Sequence, residues 1–197
     1  MPSEPAILAF DTSAAHCAAA LLFGGRIVAQ TCEEMARGQA ERLMPLLGEV
    51  LAYEGMSWRD LDRIGVGVGP GNFTGIRIGV SAARGLALGL GIPAVGVNTF
   101  DAIEAHVGQH CVPCVAAPRG QSYLRDRTTG EPYLATQDEL LDMMEDGVLE
   151  TSKGAWIAGA IGRVAAERAA EPRTPPAPLY IRPADAAPAR DDGLRLL

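Results

Sequence analysis

Residues 65–79 read GVGVGPGNFTGIRIG, and the architecture of the first half of the chain follows from them. Ile64, Val66 and Val68 alternate with glycine as in a strand. The glycine-proline-glycine at 69–71 breaks that strand, and the small-residue run that follows, up to Gly91, predicts a helix starting near Thr74. A strand therefore turns straight into a helix. Backbone N–H groups at such a helix start lack intrahelical acceptors and sit at the positive end of the helix dipole, which makes the turn a ready anion site. Arg77 adds charge there.

The segments on either side set the topology. AILAF at 6–10 is a short apolar run, and AAALLFGGRIVAQT at 18–31 reads as two strands joined at Gly24-Gly25, a two-residue hairpin signal. Leu43, Leu46, Leu47, Val50 and Leu51 fall at helical spacing before Gly55. Ser57 and Asp60 form a capping pattern ahead of the strand at 64–68. PAVGV at 93–97 reads as a strand, and a helix starts after Asn98. The predicted order is βββαβαβα. Three strands in hairpin connection followed by alternating helix and strand build the ribonuclease H-like half of an actin-like or sugar-kinase-like α/β domain. Fold analogy by itself assigns no activity.

Beyond residue 106 the pattern thins. CVPCVAAP at 111–118 reads as a strand, QSYLRDRTTGEPYLAT at 121–136 as a hairpin around Thr129-Gly130, and QDELLDMMED at 137–146 as a short helix. AWIAGA at 155–160 reads as a strand, with an Ala/Arg helix over 161–170. From Glu171 proline and alanine dominate, which predicts an extended tail anchored around Tyr180 to Arg182. The expected organisation is a ribonuclease H-like subdomain over 1–106, a smaller, truncated second subdomain over 107–170 and a tail over 171–197.

With 197 residues, 48% of them hydrophobic, the chain is long enough to bury a real core. A net charge of −7, with the arginines scattered, argues against a protein that holds nucleic acid by itself, because phosphate neutralisation needs clustered cations. No signal-peptide pattern and no bilayer-length apolar run are visible, so a cytoplasmic protein without a membrane partner is expected. The four cysteines then read as thiols.

FDTS at 10–13 places Asp11, Thr12 and Ser13 at the end of the first strand. In nucleotide-handling proteins of the actin and sugar-kinase class that corner meets phosphates: the carboxylate takes Mg²⁺ through water and the hydroxyls donate to phosphate oxygens. The same residues are also ordinary turn formers that satisfy their own backbone. Together with Gly69, Gly71, Thr74 and Gly75 they make the candidate nucleotide corner, a vestigial one because two fingerprints are missing. The only lysine, Lys153, is remote from the loop, and the glycines do not give G-x-G-x-x-G with a following acidic partner.

HVGQHCVPC at 106–114 carries His106 and His110 at i, i+4 and a C-x-x-C pair at Cys111 and Cys114. A zinc or redox site is one reading; a helix ending at Gly108, then a strand with thiols as small apolar groups, is the other. In the helix after the glycine loop, Gly79, Gly85 and Gly89 each cost roughly 1 kcal/mol relative to alanine. That cost points to close packing against another helix or chain.

ILAFDTS, GQAERLMPLL, the whole stretch from LDRIGV to AVGV at 61–97, and PLYIRPADA resemble the bacterial TsaB (YeaZ) family, strongly over 6–106 and in patches beyond. The resemblance implies a non-catalytic paralogue of TsaD, without cofactor, metal or catalytic residue. It implies a scaffold for making threonylcarbamoyladenosine beside the anticodon of tRNAs that read A-initial codons. The implied partners are TsaD as a heterodimer and the ATPase TsaE, with tRNA engaged indirectly and a homodimer when alone. TsaD carries an H-x-x-x-H metal pair, and Thr99 and Ile103 stand at those two places here. In this reading the helices at 38–54 and 74–90 supply the partner surface, through Leu43, Leu47, Leu51, Arg77, Ala82, Gly85, Leu86 and Gly89. The competing expectations are a nucleotide-binding sensor and an ATP-dependent phosphotransferase, whose second phosphate loop is missing from 111–170; a metallopeptidase fails for want of ligands.

Overall fold

The computed structural model describes residues 4–108, 111–126, 128–146, 149–151, 154–169 and 174–181. Strand β1 (Ala6–Asp11) pairs antiparallel with β2 (His16–Phe23), and β2 turns at Gly24-Gly25 into β3 (Arg26–Glu34). Helix α1 (Gln39–Tyr53) carries the chain back across the sheet to β4 (Arg63–Gly67), which runs parallel to β1 on its other side. Helix α2 (Phe73–Leu90), strand β5 (Ala94–Val97) and helix α3 (Thr99–Val107) complete the unit. The sheet order is β3-β2-β1-β4-β5, the ribonuclease H-like arrangement of actin-like folds, and the element order is the one the sequence predicts.

Alternation along the strands divides the core in two. Leu8, Phe10, Leu21, Ile64 and Val66 meet α1 and α2 on one face, while Ile7, Ala9, Ala20, Leu22 and Val97 point to the other. Helix α1 illustrates what holds a helix here. Pro45 lies inside it and its N-cap, Gly38, offers no side-chain cap. An interior proline costs roughly 3 kcal/mol, whereas each fully buried leucine contributes roughly 2 kcal/mol, and Leu43, Leu46, Leu47 and Leu51 are all buried. Burial wins. Arg42 adds a clamp, donating to Glu33 on β3 at 2.7 and 2.6 Å and to Glu49 at 2.7 and 2.6 Å. Hydrogen bonds from Arg42 hold both carboxyls below the usual carboxylate range.

A second sheet is formed by β6 (Val112–Ala116), β7 (Ser122–Arg125), β8 (Pro132–Ala135) and, after helix α4 (Gln137–Asp146), β9 (Leu149–Thr151), in the order β8-β7-β6-β9. The hairpin around Thr129-Gly130 is as predicted; the short β9 was not legible in the sequence. Asp101 on α3 joins Arg125 of β7 at 2.5 Å and also Arg168, so side chains tie the two sheets together.

The strand expected at 155–160 is instead the first half of helix α5 (Trp156–Glu167). Residues 157–162 are all buried, so this window has no polar positions to reveal a helical period. What makes it a helix is the surface it meets: α5 lies on β1, β2 and β4, so close that a Cβ at Gly159 would strike Ile27 and one at Gly162 would strike Leu22. Chain position put this segment in the second subdomain; its contacts put it on the first sheet. Arg63 closes its last turn, with Nη1 donating to the carbonyls of Ala165, Ala166 (3.2 Å) and Arg168 (3.0 Å). Removing this cation from a helix C-terminus leaves several carbonyls unsatisfied. Arg63→Ala is therefore expected to destabilise the protein by about 2 kcal/mol in urea unfolding.

The tail is anchored over more residues than expected. Leu179 N donates to Val68 O at 2.8 Å, and Pro176 O accepts from Arg84 Nε at 2.7 Å; Arg182 lies outside the described residues. Among the described residues no helix is long and apolar enough to cross a membrane.

Candidate functional site

In open sheets, ligands bind outside the carboxyl ends of strands where the chain's winding reverses. Here that place lies between the ends of β1 and β4. The structure brings Asp11, Thr12, Ser13, Gly69, Gly71 and Gly75 together there, with Thr74 exposed at the rim. Their polar atoms turn inward. Thr12 Oγ1 donates to Gly75 O at 2.7 Å, and Asn72 N donates to Ser13 O at 2.6 Å. Asn72 also caps α2, its Oδ1 accepting from Gly75 N at 2.8 Å. A Cβ at Gly71 would collide with the Ser13 carbonyl, and one at Gly75 with the Thr12 carbonyl. The glycine loop thus cradles the β1–β2 turn of its own chain.

Asp11 is equally engaged. It is 1% exposed, and its Oδ2 accepts from Ser13 N at 3.1 Å, from Ser13 Oγ at 2.9 Å and lies 2.7 Å from His16 Nε2. Gly67 is needed beside it, since a Cβ there would strike Oδ1. His16 was not singled out from the sequence; only the return of the hairpin brings it back to Asp11. Asn72 was not singled out either, although a capping residue type directly before a helix is the local signal that could have found it. Next in β2, burial, with help from Glu33, pushes the Cys17 thiol up to about 11.

The HVGQHCVPC segment separates. His106 stacks on Trp156 at 4.2 Å between centroids, and His110 lies outside the described residues. Cys111 packs with Phe100, Ile103 and Val115, whereas Cys114 packs with Val112 and Leu124 on the opposite face. The two thiols therefore lie in different apolar clusters and do not face one another. Thr99 and Ile103 are buried, and Thr99 Oγ1 donates to Pro70 O at 3.1 Å.

The expected partner surface needs correction. Leu43, Leu47 and Leu51 are at most 2% exposed because they face the sheet, so they serve the core and not a second chain. Ala82 and Leu86 are half-buried against that core. Arg77, Gly85 and Gly89 are exposed, and a Cβ at either glycine would meet nothing within 4 Å. Beside them Leu88 is 87% exposed, and on α1 Tyr53 is 82% and Met44 42% exposed. The small residues of α2 therefore divide: Gly75 and Gly79 fit the chain to itself, and Gly85 and Gly89 leave open surface.

The family described as "TsaD: tRNA N6-adenosine threonylcarbamoyltransferase" matches residues 28–178. Among curated proteins, the chain is 33% identical over 122 residues to the tRNA threonylcarbamoyladenosine biosynthesis protein TsaB of Haemophilus influenzae, covering 59% of this chain and 51% of that one. It is 41% identical over 94 residues to TsaB of Escherichia coli, covering 48% of this chain and 40% of that one. The chain spans about half the length of these curated relatives. Among solved structures, YeaZ from Pseudomonas aeruginosa superposes with a TM-score of 0.68 at 24% identity, covering 89% of this chain and 99% of the other.

Proposed function

We propose, because the chain belongs to the TsaB (YeaZ) proteins within the wider TsaD family, that it is a non-catalytic scaffold in threonylcarbamoylation of the adenosine beside the anticodon. It holds TsaD as a heterodimer through the exposed face of α2 in the cytoplasm. The same face pairs two copies when TsaD is absent, and TsaE joins the assembly. The observation that supports this reading is the closed corner between β1 and β4: the atoms that would meet a phosphate already bond within the chain. A sensor or phosphotransferase needs the Asp11 carboxylate accessible, and it is enclosed.

Reconstitution tests this. TsaD, TsaE, tRNA, ATP and a threonylcarbamoyl donor are expected to give modified adenosine by nucleoside mass spectrometry only when this chain is added. The chain alone is expected to hydrolyse ATP no faster than buffer. Full modification without the chain, or turnover by the chain alone, would overturn the proposal.

A further inference from the structure

Arg77 and Arg84 stand seven residues apart on α2, about 10 Å along the axis at 1.5 Å per residue, and so share one edge of the helix. Both are gripped by the 174–181 segment. Arg77 Nε donates to the Tyr180 hydroxyl at 3.0 Å, and its guanidinium lies 3.8 Å over the Phe73 ring, which itself packs 5.0 Å from the Tyr180 ring. Arg84 Nε donates to Pro176 O at 2.7 Å. The Leu179 to Val68 bond pins the segment between these two contacts.

Arg42, Arg125 and Arg168 each face a carboxylate. Arg77 and Arg84 are exposed and, among the described residues, pair with no carboxylate; each donates there through Nε, and the Nη groups donate to none of those residues. A guanidinium held at Nε keeps both Nη groups for an end-on pair with a carboxylate. Much of the ordering entropy of the long side chain is already spent in folding, which favours binding.

We propose that Arg77 and Arg84 form a two-pronged docking site for an acidic helix of the partner protein, one with carboxylates about two turns apart. This rests on the reading of α2 as the partner face. A protein helix is favoured over a nucleic-acid backbone by two observations. The chain carries a net charge of −7, which repels phosphate polymers. Leu88, one turn beyond Arg84 and 87% exposed, asks for apolar cover that a phosphate backbone does not give.

The test measures binding of the intact chain to TsaD by calorimetry at about 0.05 M and about 0.5 M salt, across which exposed ion pairs are increasingly screened. An Arg77→Glu/Arg84→Glu double variant, with folding checked by circular dichroism, is expected to bind roughly tenfold or more weakly at low salt and to bind more tightly, not less, as salt rises and screens the new like-charge repulsion. Tyr180→Phe keeps both charges and frees Arg77; about threefold weaker binding is expected. If the double variant binds like the parent while Gly85→Trp does not bind, the α2 face stands and the arginine site is wrong. If the parent itself fails to bind TsaD, the scaffold reading falls and this site with it. If the parent shifts tRNA in a gel and the double variant does not, with TsaD binding unchanged, the arginines serve phosphates and the proposal is overturned.

Discussion

Gly75→Ala is expected to lower stability by about 3 kcal/mol, which for a chain of this length is roughly 6–12 °C in melting temperature. Helix propensity alone points the other way, since alanine is better than glycine inside a helix by about 1 kcal/mol. The decisive fact is that a Cβ at this position would overlap the Thr12 carbonyl oxygen, a backbone atom that cannot swing aside. Relief requires lifting the first turn of α2 off the β1–β2 turn. That movement also breaks the Thr12 Oγ1 to Gly75 O bond and the Asn72 to Ser13 bond. Gly85→Ala is the matched control: its Cβ meets nothing, so only the propensity gain remains. A melting temperature for Gly75→Ala equal to that of the parent would mean the corner is not closed as described.

Gly85→Trp is expected to do the reverse, leaving the fold intact while lowering affinity for TsaD by about a hundredfold, or 3 kcal/mol. Gly85 is exposed and a Cβ there would meet nothing within 4 Å, so a larger side chain can start outward into solvent. A helix seated closely on α2 does not admit it. Co-purification with tagged TsaD, beside a thermal melt, separates the two effects. Thr12→Ala supplies the contrast, because it loosens the buried corner and leaves the α2 face alone. Full recovery of TsaD with the Gly85→Trp variant would remove α2 from the interface and the scaffold geometry with it.

These two glycines sit in one helix and carry the same letter, which is the limit of what the letters convey. Strand alternation at 64–68, the Gly24-Gly25 hairpin, the leucines of α1 and the glycine stop at Gly91 are local signals with local causes, so the order βββαβαβα and the ribonuclease H-like sheet were legible. The segment at 155–160 was misread because a helix buried among small residues shows no polar face, and its period vanishes. The leucines of α1 were assigned to a partner although their spacing already describes a core face. The burial of Leu43, Leu47 and Leu51 corrects that.

The sequence by itself determined the sheet, the strand-loop-helix corner and the family resemblance, because backbone dihedral preferences and side-chain periodicity act within a few residues. Tertiary structure alone decided what fills the corner and what stays open. Thr12 and Gly75 are 63 positions apart, Arg77 and Tyr180 are 103, and only folding sets those atoms at hydrogen-bonding distance.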